Sequence, residues 1–385
     1  MKTVYILLLT VVSVSSLSLM EAEFEHAESA PRRAAAQASR PRGEAVVPLE
    51  GLDPVLLAGG KEAQGDEKFS VMRGRFRYLF ASAASQAAFE RDPARYEIQL
   101  GGACARMGPS TLGDPDLYLV HRGRIYLFGS PDCLKAFQAA PENFLDAEAS
   151  AAAPAPSADA LRRGRALVER AVEAAGGAQR IDRLKSYRES GSTRRQGRDG
   201  VTEIKISLVR VFPASFRQER VMPFGTLTTV VTPADAFFVA GRNTGGLIDV
   251  QRSAFEQSQK LTLLSILRAR TAEGFKAAAA AKAGGVEQVE VAFDGVSARL
   301  GVEAASGRVV SLAYRGRGPG GVFGEITQTF SDFRAAGGLT LPFKAEGAFN
   351  GRPEPTLSYT LDAVVLDGEV DAALFERPKP ATTGQ

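Results

Sequence analysis

An aromatic segment occurs twice in this chain: residues 74–82 read Gly-Arg-Phe-Arg-Tyr-Leu-Phe-Ala-Ser, and residues 122–130 read Arg-Gly-Arg-Ile-Tyr-Leu-Phe-Gly-Ser. In each copy a basic turn precedes a short strand whose alternate residues are aromatic. The serine that ends each segment can cap a helix, and a phenylalanine (Phe89 or Phe137) follows on the buried face of that helix. The repeat therefore predicts two strand–helix units, which pack together because neither can bury its apolar face alone.

The two copies differ at one informative position, because Ser85 in the first corresponds to Cys133 in the second. Cys104 is the only other cysteine, and an even number of cysteines in an oxidising compartment favours a disulfide. Thiolates also bind copper and zinc, and His121 and Met107 are soft ligands nearby. The sequence leaves two alternatives open. One is a disulfide or two unlinked thiols, and the other is a metal site formed by Cys104, Cys133, His121 and Met107.

Within the metal alternative, copper is marginally favoured over zinc because Met107 would supply a thioether for Cu(I). Cys133 stands at the predicted start of a helix, where free amide groups and the helix dipole favour a thiolate. It is therefore expected to be the stronger ligand or the more reactive thiol, with Cys104 and His121 assisting.

These residues also resemble a known family, the YHS domain. The resemblance rests on residues 51–55, 74–80, 92–96 and 101–105, together with Phe89. The second copy, over residues 126–137, is similar to the related TRASH-type module, in which a cysteine at the start of the helix is associated with heavy-metal binding. The resemblance thus implies a metal-ligand role for Cys133, whereas Ser85 offers no thiol in the first copy.

The beginning of the chain has the features of an export signal. Lys2 is followed by an apolar run to residue 19, which predicts a signal peptide over residues 1–19. Residues 20–44 are rich in Ala, Glu, Arg and Pro and predict a disordered leader. No cysteine follows the apolar run, so a lipoprotein anchor is excluded. The protein is expected to be periplasmic or secreted, with an uncleaved membrane anchor as the alternative.

The composition limits the possible classes of binding partner and the number of domains. Of the 385 residues, 44% are hydrophobic, and the formal net charge is only +3, with no basic face interleaved with aromatics. This charge distribution excludes nucleic acid as a partner. An Ala/Pro-rich linker over residues 147–157 predicts an N-terminal domain over 45–146 and a C-terminal domain over 158–379, each folding independently.

The C-terminal domain reads as a helix followed by many strands. The helix is predicted over residues 158–175, where Gly176-Gly177 ends it. Asp294-Gly295 then marks a hairpin, and strand-like alternation recurs at short spacing up to residue 366. Two helical insertions are expected, near residues 252–271 and, rich in alanine, near 273–283. The pattern predicts an α+β protein whose C-terminal domain is a large curved antiparallel sheet, a half-barrel with covering helices.

This domain resembles the LolA-like group of lipoprotein carriers and related envelope proteins. The residues that carry the resemblance are mostly turns and core positions: Gly176-Gly177, 184–186, Pro213, 216–217, Asp294-Gly295, 331–334, 338–342, 374–375 and Pro378. The resemblance implies a half-barrel that holds a lipid or another acyl chain.

A ligand-binding surface can be proposed from the apolar residues alone. Ile204, Ile206 and Leu208 alternate with polar residues and give one apolar strand face, and a slip over 209–211 predicts a β-bulge. Across from them, an apolar helix is predicted over 257–269. Its candidate ligand-binding residues are Leu261, Leu264 and Leu267. This helix either packs on the sheet as ordinary core or forms a lid over an apolar cavity.

No set of catalytic residues accompanies this surface. His121 is the only histidine outside the leader, so no Ser/His/Asp arrangement is credible, and no glycine-rich loop has a phosphate-binding form. The expected function is therefore a non-enzymatic, exported binding protein that carries or senses an apolar ligand and has a metal-binding module. The alternative is a structural or assembly protein whose domains dock envelope proteins. The oligomeric state remains open.

Overall fold

The computed structural model describes residues 45–146, 155–197, 200–223, 225–282 and 284–378. The predicted signal peptide, the predicted leader and residues 147–154 of the predicted linker lie outside these ranges. Among the described residues, no helix is long and apolar enough to cross a membrane.

The N-terminal part consists of two small sheets and short helices. β1 pairs with β2 in one sheet, and the other sheet has the order β4-β3-β6-β5, in which β3 and β6 are parallel. Its elements are α1 (Pro54–Ala58), β1 (Asp66–Arg73), β2 (Phe76–Phe80), α2 (Ala83–Arg91), α3 (Pro93–Tyr96), β3 (Ala103–Cys104), β4 (Gly108–Leu112), β5 (Asp114–His121), β6 (Arg124–Phe128) and α4 (Pro131–Ala139).

The predicted repeat is confirmed in the geometry of the two copies. Each is a hairpin followed by a helix, β1-β2-α2 and β5-β6-α4. The ring of Phe89 meets that of Phe80 edge-on at 5.2 Å, and the ring of Phe137 meets that of Phe128 at the same distance. Ser82 and Ser130 both cap their helices, as predicted. The second copy also packs on the first, because residues of β6 share a buried cluster with the aromatic residues of β2.

The C-terminal part is built around one open antiparallel sheet that contains fourteen of the described strands. The predicted α+β fold class, with a large curved sheet and covering helices, is therefore confirmed. The elements are α5 (Ala158–Ala174), α6 (Ala178–Asp182), β7 (Ser186–Gly197), β8 (Gly200–Val211), β9 (Ser215–Met222), β10 (Gly225–Val231), β11 (Ala236–Ala240), β12 (Asn243–Gly246), α7 (Asp249–Lys260), α8 (Leu263–Ala269), β13 (Lys276–Ala279), β14 (Val286–Phe293), β15 (Val296–Glu303), β16 (Val309–Arg317), β17 (Phe323–Ala336), β18 (Leu339–Phe349), β19 (Arg352–Pro353) and β20 (Tyr359–Leu366).

Strands that are consecutive in the chain are mostly neighbours in the sheet, but β12 and β13 form its two edges and β20 lies between β7 and β18. Their order is β12-β11-β10-β9-β8-β7-β20-β18-β17-β16-β15-β14-β13, with β19 attached to β18. In β20, Leu366 lies beside Tyr187 of β7 and Tyr359 beside Ala345 of β18. This strand thus joins the two halves of the sheet.

Three local predictions were wrong. The alanine-rich segment near 273–283 forms edge strand β13 instead of a helix (residue 283 lies outside the described ranges), because it pairs with β14. The bulge predicted over 209–211 is absent from the described strands, since β8 pairs with β7 and β9 in continuous register. The apparent slip arises because Val209 is buried on the outer face. The helix predicted over 257–269 is broken into α7 and α8 at Leu261 and Thr262.

Gly164 lets α5 lie directly against β13. Alanine normally stabilises a helix interior by about 1 kcal/mol over glycine, but a Cβ at Gly164 would lie 2.5 Å from the carbonyl oxygen of Ala277. Overpacking of this kind costs about 1–3 kcal/mol. We therefore expect Gly164→Ala to lower the free energy of unfolding, measured by urea denaturation. The exposed neighbour Arg163→Ala should change it by less than about 0.5 kcal/mol. A gain in stability from Gly164→Ala would contradict this packing.

The apolar core of the sheet falls into two clusters. The larger extends from α5 and α8 across β14–β18 to β20, with Val168, Ile266 and Leu300 among its buried residues. The smaller surrounds Phe255 of α7 and includes Phe216. The inner face of β9 also buries polar side chains, because Gln218 and Arg220 alternate with outward-facing residues. The sheet is therefore not uniformly apolar on its inner face.

The hairpin between β16 and β17 joins the N-terminal part to the sheet. Arg317 donates to the carbonyl oxygens of Arg106 and Phe144 at 2.9 and 3.1 Å. Burial lowers the pKa of Arg317 to about 10, while the charges of Cys104 and Asp146 act to raise it. The predicted domain limits, 45–146 and 158–379, stay a prediction, because this contact does not decide whether each part folds alone.

Candidate functional site

A cleft lies between the inner face of the sheet and the junction of α7 and α8. Its walls are mainly apolar and aromatic, and one arginine lies among them. The lining residues are Tyr187, Leu208, Arg210, Phe212, Thr262, Leu263, Leu264, Phe330, Leu341, Pro342, Tyr359 and Leu361. Apolar walls with a few polar groups are typical of sites for small apolar ligands.

The cleft is narrow in this structure. The space between its walls is about 550 Å³, including the part that opens to solvent, but the centre of a water molecule can occupy only about 40 Å³ of it. That is room for about three waters. An acyl chain would enter only if the α7–α8 junction moved away from the sheet.

Arg210 connects this junction to the sheet. It occupies the next inward position of β8 after Leu208 and is buried. Its guanidinium donates to the hydroxyl of Ser265 on α8 at 2.5 Å and to the carbonyl oxygen of Gln259 on α7 at 3.1 Å, and it also bonds the side-chain oxygen of Gln259. One buried side chain of the sheet therefore holds both covering helices.

The charge of Arg210 is balanced by an acidic partner on the neighbouring strand. Glu189 of β7 is only 1% exposed, and Tyr187 donates its hydroxyl proton to the Glu189 carboxylate. Burial lowers the pKa of Arg210 to about 10, and the negative charge of Glu189 opposes that shift. Burial, reinforced by Glu189, raises the pKa of Tyr187. The polar end of the cleft is thus a buried Tyr–Glu–Arg cluster.

The far end of α8 is fixed by two further arginines. Arg268 donates to the carbonyl oxygens of Ile181 and Leu184 at 2.8 and 2.9 Å. Arg270 makes two bonds to the Asp182 carboxylate at 2.8 and 2.7 Å. These contacts anchor the C-terminal end of α8, whereas Arg210 holds its N-terminal end.

The structure separates the six predicted ligand-binding residues. Leu208 and Leu264 line the cleft, as predicted. Leu261 packs at the edge of the larger cluster, while Ile206 and Leu267 are buried inside it. Ile204 belongs to the smaller cluster around Phe255. The alternation of β8 identified the correct face of the strand. It did not show that Leu208, but not Ile204 or Ile206, lines the cleft.

Sequence reasoning missed Arg210 and Glu189. The alternation that places Leu208 on the inner face of β8 also places Arg210 there. A charged residue at an inward strand position is unusual, and this was the signal that could have identified Arg210. Glu189 on β7 gave no comparable signal, because most residues of that strand are polar and show no alternation of apolar and polar side chains.

The two cysteines form a second candidate site. Both are free and lie in the same buried cluster, Cys104 on β3 and Cys133 in the first turn of α4. The interaction between the two thiols, assisted by Ser130 and by Arg106, lowers the pKa of Cys133 to about 6 and raises that of Cys104. The guanidinium of Arg106 lies 4.0 Å from the Cys133 sulfur. The prediction that Cys133 would be the more acidic thiol agrees with this geometry.

The other two predicted metal ligands are placed differently from each other. Met107 packs against the same apolar cluster as the cysteines. His121 lies edge-on against the ring of Phe137, at 5.8 Å between ring centres. Within the described ranges, no three side chains of His, Cys, Asp or Glu form a cluster. Two sulfurs fall short of the four ligands typical of a structural zinc site, and copper or zinc binding stays a prediction.

No protein-family model and no curated protein matches this chain. Several solved structures are similar over 56% of the chain and 97% of their own length. They include an outer membrane lipoprotein-sorting protein domain from Vibrio parahaemolyticus (9% identity, TM-score 0.36), a LolA superfamily protein from Nitrosomonas europaea (11%, 0.38) and a DUF1329 family protein from Desulfovibrio piger (11%, 0.36). Similarities this low carry no argument, so function has to be inferred from the geometry of the chain itself.

Proposed function

We propose that the C-terminal part binds an apolar ligand, a lipid or another acyl chain, in the cleft between the sheet and the α7–α8 junction. The observation that carries this proposal is the cleft itself. Its walls are apolar, and one buried arginine of the sheet forms hydrogen bonds to both helices that cover it. The protein would act as a non-catalytic carrier or sensor in the cell envelope, reached through the predicted signal peptide.

The same contacts suggest how the cleft would open. Hydrogen bonds to a charged group contribute about 1.5–3 kcal/mol each, so release of Gln259 and Ser265 from Arg210 is a moderate cost. Burial of an acyl chain returns about 0.8 kcal/mol per methylene group. At these values, about six to eleven methylenes of one acyl chain offset the loss of the three bonds that Arg210 makes to Gln259 and Ser265. The α7–α8 junction is the proposed lid, and Arg210 is its latch.

Binding can be tested directly on the full chain. We expect a fluorescent fatty-acid probe to bind with one site, and native mass spectrometry to find lipid co-purified with the protein. Leu264→Asp should weaken probe binding by about tenfold or more, because it places a carboxylate on the wall of the cleft. Leu264→Met conserves volume and should bind as the unchanged chain does.

Folding of both variants is checked by circular dichroism, so that lost binding is separated from lost structure. Leu208→Asn, on the opposite wall, provides a second polar substitution if Leu264→Asp does not fold. Absence of probe binding and of co-purified lipid for the unchanged chain would overturn the proposal. It would favour the alternative of a structural or assembly protein that docks envelope partners.

A further inference from the structure

We propose that Cys104 and Cys133 form a redox site that undergoes reversible thiol–disulfide exchange, with a small-molecule disulfide or an exposed protein disulfide as oxidant. Cys133 is the attacking sulfur and Cys104 the resolving sulfur. This activity is independent of the cleft and of the ligand proposed for it.

The geometry that carries this proposal places both cysteines in one small buried cluster. Cys104 lies on β3, which runs parallel to β6 with Cys104 beside Leu127. Cys133 lies in the first turn of the helix that follows β6, and Ser130 caps that helix. The parallel pairing thus brings a strand residue into the same cluster as the first turn of a helix, and both thiols are free.

The surroundings of the two sulfurs differ and assign their roles. Cys133 keeps 6% of its surface exposed, whereas Cys104 has none. Only Cys133 has the guanidinium of Arg106 at 4.0 Å and a position in the first turn of a helix. Both features favour a thiolate that an external disulfide can reach. Cys104 is positioned to react only with its neighbour.

The first copy of the repeat provides an internal comparison. Ser85 occupies the same helix position as Cys133, and Ser82 caps its helix in the same way. The fold therefore supplies the helix start in both copies. The second copy alone adds a thiol there, a second thiol in contact with it and an arginine beside it. These additions are what a redox pair requires.

The reaction balances without any further reagent. The Cys133 thiolate attacks one sulfur of the disulfide R–S–S–R, forms a mixed disulfide and releases RS⁻. Cys104 then gives its proton to a released thiolate and attacks the Cys133 sulfur, which releases the second RS⁻. The protein loses two electrons and the Cys104 proton, and the disulfide becomes one thiol and one thiolate. That thiolate takes up from solvent the proton that Cys133 had released on ionising.

Contacts that favour the reduced form explain why the bond should be reversible. The Cys133 thiolate interacts with the guanidinium of Arg106, 4.0 Å away, and with Ser130. Oxidation removes the negative charge from beside Arg106. Interactions present only in the reduced form make a disulfide easier to reduce.

The test is a redox titration of the full chain. The protein is equilibrated in buffers with graded ratios of reduced to oxidised glutathione, quenched with acid, alkylated and examined by mass spectrometry. We expect the fraction of Cys104–Cys133 disulfide to follow the ratio in both directions. Cys104→Ser should accumulate a mixed disulfide with glutathione on Cys133. Arg106→Gln should slow the reaction several-fold.

A matched control comes from the repeat. In the Cys133→Ser background, Ser85→Cys places a thiol at the equivalent helix start, and it should form little mixed disulfide. A disulfide that persists at every ratio would show a structural link and overturn the proposal. So would two thiols that never oxidise, or that stay protected by copper or zinc until a chelator removes the metal.

Discussion

Replacing Arg210 with leucine should lower the free energy of unfolding by about 3–5 kcal/mol, because hydrogen bonds to a charged group contribute about 1.5–3 kcal/mol each and Arg210 makes them to Ser265 and Gln259. Glu189, which is 1% exposed, would also lose the favourable influence of the Arg210 charge. The two covering helices would also lose their bonds to the sheet. Urea denaturation followed by circular dichroism measures the change.

Two further variants separate the causes of that loss. Lys205→Leu, on the exposed face of the same strand, should change the free energy of unfolding by less than about 0.5 kcal/mol. Adding Glu189→Gln to Arg210→Leu should recover a substantial part of the stability, because it removes the charge that was left buried. If Arg210→Leu is no more destabilising than Lys205→Leu, Arg210 is not the latch of the lid.

Phe137→Ala should lower the free energy of unfolding of the N-terminal part by about 3–5 kcal/mol, as is typical for deletion of a fully buried ring. Phe137 has no exposed surface, and its ring contacts those of Tyr126, Phe128 and Phe144. The cavity left behind would lie among rigid rings that cannot easily close it. The measurement is again urea denaturation of the full chain.

The repeat predicts that Phe89→Ala has nearly the same cost. Phe89 is equally buried, and its contact with Phe80 has the distance and the tilt of the contact between Phe137 and Phe128. Gln138→Ala, exposed on the same helix as Phe137, should change stability by less than about 0.5 kcal/mol. Costs that differ by more than about 2 kcal/mol between the two phenylalanines would contradict equivalent packing of the copies.

The sequence predicted the features that depend on local chemistry. The repeat, the serine caps and the glycine pair that ends α5 all follow from short segments whose residues determine their own conformation. The alternation of β8 likewise revealed its inner face. The fold class was therefore accessible from the order of these segments, and the structure confirms it.

Long-range packing determined what the sequence could not predict. An alanine-rich segment favours helix by propensity, but β13 is a strand because it completes the edge of the sheet, and its small side chains allow α5 to lie close. Local propensity carries no information about either neighbour.

The two cysteines also separate what local sequence predicts from what long-range packing determines. The sequence placed Cys133 at a helix start but could not say whether Cys104 would reach it, because that contact depends on the parallel pairing of β3 with β6. His121 appeared close in sequence, yet its ring packs against Phe137. Proximity of candidate ligands along the chain was a poor guide here because neighbouring residues of a strand point to opposite faces.

The position of β20 has a consequence for how the protein is made. Because β20 joins β7 to β18, each of these two strands lacks a partner on that side until residues 359–366 have been synthesised. A chain that stops before Tyr359 would present two unpaired edges at this place, each a template for pairing with another molecule. Truncated products should therefore aggregate rather than persist as smaller working proteins, and synthesis of β20 becomes a condition for solubility.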